Sequence, residues 1–83
     1  MDIKEMSLSP SEYRILRYMD TYRKSDIKSF DLAMALDVSW STTIKSLRKF
    51  KTFGLIKKVK NVFEIVDDSA IKKLIETKKP EGV

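Results

Sequence analysis

Seven cationic side chains, Lys45, Arg48, Lys49, Lys51, Lys57, Lys58 and Lys60, fall between Asp37 and Glu64, and no Asp or Glu stands among them. The whole chain carries +5, so with +7 in this window the remaining residues sum to −2. Ammonium and guanidinium groups gathered in this way pair with phosphates, and a one-signed field on part of a small domain concentrates a polyanion near it. The chemistry expected is charge neutralisation and hydrogen bonding rather than bond making.

Other residue types argue against catalysis. Cys and His are both absent, which removes the thiol nucleophile, the thiolate metal ligand and the commonest general base. The two glycines, Gly54 and Gly82, lie too far apart to build a phosphate-cradling loop. Asp67-Asp68 is a carboxylate pair that could hold a cation, but acids just before a helical pattern are more often caps. No enzyme activity, cofactor or metal is expected.

The cations need a scaffold, and the patterning predicts a mainly α domain with one small β-hairpin. Leu8-Ser9-Pro10-Ser11-Glu12-Tyr13 reads as a helix start: Ser9 and Glu12 have capping-box spacing, Pro10 suits the first helical position, and Leu8 with Tyr13 forms a hydrophobic staple. Ile15, Leu16, Tyr18, Met19 and Tyr22 share the apolar face of that first helix, which is predicted to end near Arg23-Lys24. The Tyr18/Tyr22 pair is expected to pack into the core. Asp26-Ile27-Lys28 reads as a short extended link, and Ser29 as the cap of a second helix carrying Phe30, Leu32, Ala33, Ala35 and Leu36.

Asp37-Val38-Ser39 forms a tight turn, and Ser39 caps a third helix to about Phe53. This helix is two-sided at about 100° per residue. Trp40, Thr43, Ile44, Leu47 and Phe50 gather on the apolar side; Ser41, Thr42, Lys45, Arg48, Lys49 and Thr52 gather on the other. Gly54 provides a left-handed stop. Leu55–Val59 and Val62–Val66 then alternate around Lys60-Asn61, a hairpin in which Asn61 is expected to take positive φ. Asp67-Asp68-Ser69 caps a last helix bearing Ala70, Ile71, Leu74 and Ile75.

Eighty-three residues suit one domain, 1–83, with a core over about 9–77 and flexible or dimer-contacting ends at 1–7 and 78–83. No apolar run approaches the roughly 18–20 residues that span a bilayer. A signal-peptide pattern is also missing, so a cytoplasmic location and no membrane partner are expected.

In its order of elements the chain resembles the winged helix-turn-helix family, in particular small regulators related to MarR and ArsR. The likeness rests on Leu32-Ala33, Leu36, Val38-Ser39, Leu47, Phe50 and Gly54-Leu55-Ile56, and covers roughly residues 9–66. Two departures stand out: Asp37 occupies the family's turn glycine, and the hairpin loop is so short that the wing would be stubby.

The resemblance implies that the third helix is a recognition helix in the major groove of double-stranded DNA, with the second helix crossing behind it. Arg48 is then placed to meet guanine bidentately, Lys45 as a point charge, and Ser41 and Thr42 to meet bases or phosphates. Ser39, Lys49, Lys51, Thr52, Lys57, Lys58 and Lys60 are expected on the DNA backbone. Regulators of this kind commonly dimerise through terminal helices, which makes a homodimer the expected state and Ile3, Met6, Ile71, Leu74 and Ile75 candidate contacts. The competing expectation is a docking module that meets an acidic protein through the same helix. Single-strand or RNA binding ranks low, because Trp40 and most other aromatics are expected to be at least partly buried.

Overall fold

The computed structural model describes residues 3–22 and 24–81. A single 3-10 turn, Ile3–Glu5, precedes α1 (Pro10–Tyr22), α2 (Ser29–Leu36) and α3 (Trp40–Thr52). Strands β1 (Ile56–Val59) and β2 (Val62–Ile65) follow, and α4 (Asp68–Thr77) closes the fold. The architecture is the mainly helical one with a two-stranded hairpin that the patterning predicts, and its order is consistent with a winged-helix-like arrangement. Among the described residues no helix is long and apolar enough to cross a membrane. The expected helix end at Arg23 and the tail residues Gly82 and Val83 lie outside the described residues.

Capping chemistry sets the helix starts. At α1 the Ser9 N–H donates to Glu12 Oε1 at 2.8 Å, and the Glu12 N–H donates back to Ser9 Oγ at 3.2 Å. Two otherwise orphaned donors are thereby satisfied. Asp67 accepts from Ala70 N–H at 3.1 Å and starts α4, so this acidic residue is a cap. Ser29 behaves differently from the prediction: it is the first residue of α2, and Lys28 stands at the cap position without a side-chain bond.

The link before α2 joins the sheet. Ile27 N–H donates to Phe63 O at 2.9 Å, and Phe63 N–H donates to Ile27 O at 2.8 Å. One residue of extended chain thus flanks β2 as an isolated antiparallel bridge, pinning the hairpin beside the start of α2.

The core forms where α1, α3 and α4 meet, around Leu16, Met19, Leu47, Phe50, Ile71 and Leu74. Truncating such a side chain, for example Phe50→Ala, removes roughly 3–5 kcal/mol. This packing corrects several expectations. Met6, Ile71 and Leu74 are within 1% of complete burial inside one copy of the chain, so their apolar surface is already covered and cannot form a dimer contact. Ile3 and Ile75 are partly buried against the same core. Tyr13, expected as a staple with Leu8, is buried with it in the core, in keeping with that role. Tyr22, expected inside, is 71% exposed and packs its ring 5.1 Å from that of Tyr18. On α2 only Leu32 is buried, while Phe30, Met34 and Ala35 face outward.

Candidate nucleic-acid interface

The turn between α2 and α3 depends on one left-handed residue. Asp37 has φ 52° and ψ 46°, a region that Asp tolerates better than most side chains. The Val38 N–H then donates to Ala33 O at 3.1 Å, and Arg14 Nη2 donates to Leu36 O at 2.9 Å, satisfying carbonyls at the end of α2. Ser39 caps α3: its Oγ accepts from Thr42 N–H at 3.1 Å and donates to Thr42 Oγ1 at 2.7 Å. Gly54, at φ 77°, stops the helix where no Cβ neighbour would obstruct a side chain, so glycine serves here for its backbone freedom alone.

Helical geometry divides α3 into a buried strip, an exposed outermost strip and two flanks between them. The inner strip is Thr43, Ser46, Leu47 and Phe50. Its two hydroxyls are satisfied within the helix, Thr43 donating to Ser39 O and Ser46 to Thr42 O. The outermost strip is Ser41, Lys45, Arg48 and Thr52, all exposed. Among the described residues neither Lys45 nor Arg48 has a carboxylate within ion-pair distance.

The two flanks differ. On the side facing α1, Thr42 is half-buried and held by the cap. Lys49 Nζ lies 3.1 Å from Glu12 Oε1 and donates to Ser7 O at 2.6 Å. Lys49 is therefore occupied inside the molecule, which removes it from the set of cations free to meet a partner. On the side facing the hairpin run Trp40, Ile44, Arg48 and Lys51. Trp40 is 53% exposed, about half covered, with the Phe30 ring 6.2 Å from its own.

Hairpin register decides where the wing's cations point. Ile56 pairs with Ile65, Lys57 with Glu64, Lys58 with Phe63 and Val59 with Val62. Because side chains alternate, Ile56, Ile65, Lys58 and Phe63 share one face and Lys57 with Glu64 the other. Lys58 Nζ sits 5.9 Å from the Phe63 ring centroid. Lys57 Nζ is 3.7 Å from Glu64 Oε2, an exposed pair worth little. At the two-residue turn, positive φ falls on Lys60 (56°) and not on Asn61.

Between α3 and the hairpin these side chains line a cleft of about 290 Å³, formed by Trp40, Ile44, Arg48, Lys51, Lys58, Asn61 and Phe63 together with Ser29 of α2. Among the described residues no carboxylate lines it. Trp40, Asn61 and Phe63 are members that the sequence reading did not place here. The signal was available: Trp40, Ile44, Arg48 and Lys51 recur at helical spacing, and a two-residue turn sets Lys58 opposite Phe63. No protein-family model, curated protein or solved structure matches the chain.

Proposed function

We propose that this chain is a winged helix-turn-helix DNA-binding regulator that lays α3 in the major groove of double-stranded DNA and sets the short wing against an adjacent phosphate strand. What supports the reading most is a single juxtaposition: exposed Ser41, Lys45 and Arg48 project from one helix, with Lys51 and Lys58 lining the cleft beside Arg48 and Lys60 exposed at the hairpin turn. None of these cations is paired with a carboxylate among the described residues. A groove about 12 Å wide admits such a helix. Arg48 and Lys45 then read base edges together with Ser41, while Lys51, Lys58 and Lys60 hold phosphates. Thr42, Ser39 and Thr52 contribute hydroxyls at the margins, and Lys49 serves the fold.

A homodimer on a pseudo-palindromic site belongs to this proposal. Its contact must lie away from Met6, Ile71 and Leu74, which the core already covers. Footprinting distinguishes the cases: two protected half-sites one helical turn apart mark a dimer, and a single half-site marks a monomer.

The experiment is titration of labelled duplex DNA at rising salt. Three phosphate-holding cations per protomer (Lys51, Lys58, Lys60) give a slope of log K against log salt of about −2.7 for a monomer and about −5.4 for the dimer, at roughly −0.9 per phosphate contact. A slope near zero rejects the proposal. The second reading, a protein-docking module, draws on exposed Phe30, Met34 and Trp40 beside the same helix. Failure to retard random duplex at low salt would favour it.

A further inference from the structure

The cleft between α3 and the hairpin combines two kinds of surface that a fully paired duplex uses unequally. Its apolar lining is the half-exposed indole of Trp40 with Ile44 on the α3 side and the Phe63 ring on the hairpin side. Three cations, Arg48, Lys51 and Lys58, line it as well, and Asn61 adds an amide with both donor and acceptor at the turn. A bare phosphate would satisfy the cations and leave the rings idle. An apolar molecule would cover the rings and strand three charges, which is costly once they are desolvated. A base that has left the stack brings a π-face, hydrogen-bonding edges and its own phosphate at once.

Size narrows the occupant further. At about 290 Å³ the cleft stands at the small end of ligand sites, roughly 300–1,000 Å³, which limits it to one nucleotide-sized group. Its position also matters, because Arg48 and Lys58 belong to the face assigned above to DNA, so an occupant here lies beside the strand.

We propose that this cleft holds a single unpaired nucleotide of a DNA strand, the base stacked on Trp40 and the phosphate held by Lys51 and Lys58. The inference rests on the DNA-binding reading and deepens it: the preferred partner is duplex DNA that carries an overhanging or extruded base. A nucleoside monophosphate free in solution has the same chemistry, so the test must separate the two sources.

Trp40 is the only tryptophan in the chain, which makes its fluorescence a direct reporter. Four probes are titrated: a blunt duplex, the same duplex with a one-nucleotide adenine overhang, the same with an abasic overhang, and dAMP alone. The adenine overhang is expected to quench Trp40 and to bind at least about five-fold more tightly than the abasic one, the lower end of what base–aromatic stacking provides. Trp40→Ala should bring the two overhangs to equal affinity, and Trp40→Phe should restore part of the difference, both read by anisotropy of labelled DNA. Equal binding of adenine and abasic overhangs by the unaltered protein, or no change in Trp40 emission, overturns the proposal. Quenching by dAMP at the concentrations where the overhang duplex acts overturns the strand-borne assignment in favour of a free nucleotide. Overhang binding without any blunt-duplex binding would instead reject the regulator reading and leave the cleft's role standing.

Discussion

Lys49 Nζ lies 3.1 Å from Glu12 Oε1 and 2.6 Å from the Ser7 carbonyl oxygen, so a cation of α3 is fastened to the segment that starts α1. Glu12 is also the acceptor of the capping box with Ser9. One carboxylate thus holds both a helix start and the orientation of α3 against α1.

Lys49→Met should lower stability by about 1 kcal/mol, the upper end for an ion pair that retains some exposure. Glu12→Ala, which also removes half of a capping box, should cost about 1–2 kcal/mol. Thermal denaturation measures both. The salt slope for DNA should hardly change with Lys49→Met but should fall by about 0.9 with Lys51→Met. Equal changes in slope would return Lys49 to the interface.

Arg48 and Lys58 line the same cleft from different elements, α3 and β1, and should fail differently. Arg48 stands on the outermost strip of α3, whereas Lys58 lies across the cleft over the Phe63 ring. Arg48→Ala should relax base preference at one position, at a cost of about 1–3 kcal/mol on the preferred site. Lys58→Ala should weaken all sequences about equally. Selection from a random pool, run with each variant, checks this. A uniform loss for Arg48→Ala would confine it to phosphates.

Much of this fold is legible in the residue pattern because local rules and packing agree. Ser9 with Glu12, Ser39 before α3, Gly54 after it, and the change from a helical to a two-residue period at Leu55 each fix a boundary without reference to the rest of the chain. The misreadings fall where tertiary contacts decide. Trp40 shares its helical side with Leu47, but it lies past the end of the core and lines the cleft between α3 and the hairpin instead. Ile71 and Leu74 look like an unpartnered stripe until α1 is folded over them. The pairing of Lys49 with Glu12 spans 37 residues, and no periodicity encodes a partner at that separation.

Two non-glycine residues hold left-handed backbone at the ends of the candidate interface, Asp37 at φ 52° and Lys60 at φ 56°. That conformation costs an L side chain roughly 1–2 kcal/mol, and glycine recovers it less about 0.5–1 kcal/mol of chain entropy. Lys60→Gly should therefore raise stability by up to about 1 kcal/mol while shrinking the DNA salt slope by about 0.9. Asp37→Gly should stabilise less, since Asp already tolerates the region, and Asp37→Val should destabilise by more than 1 kcal/mol, given the β-branched penalty at positive φ. Denaturant melts beside DNA titrations test whether stability and affinity separate. A destabilised Lys60→Gly protein would mean that the lysine stem packs against something worth more than the strain.

Lys24 joins the two ends of the helical layer, with Nζ 2.7 Å from Asp20 Oδ1 on α1 and 3.0 Å from Asp68 Oδ1 at the start of α4. Its hydrogen bond to Asp20, followed by that to Asp68, raises the ammonium above its ordinary 10.5. The hydrogen bond from Lys24 holds the Asp68 carboxyl below its ordinary 3.8. The signs follow from linkage. Asp68 stabilises fully above about 3.8, and that contribution disappears as pH falls through its lower folded value. Lys24 stabilises fully below about 10.5, and that contribution disappears as pH rises through its higher folded value. Both groups are open to solvent, so the effect is small and screened by salt. The melting temperature of the unaltered protein should exceed that of Lys24→Met at neutral pH, and the gap should close towards about pH 2 and again above about pH 11. A gap that persists unchanged at about pH 2 would show that Lys24 acts through packing of its stem and not through the Asp68 carboxylate.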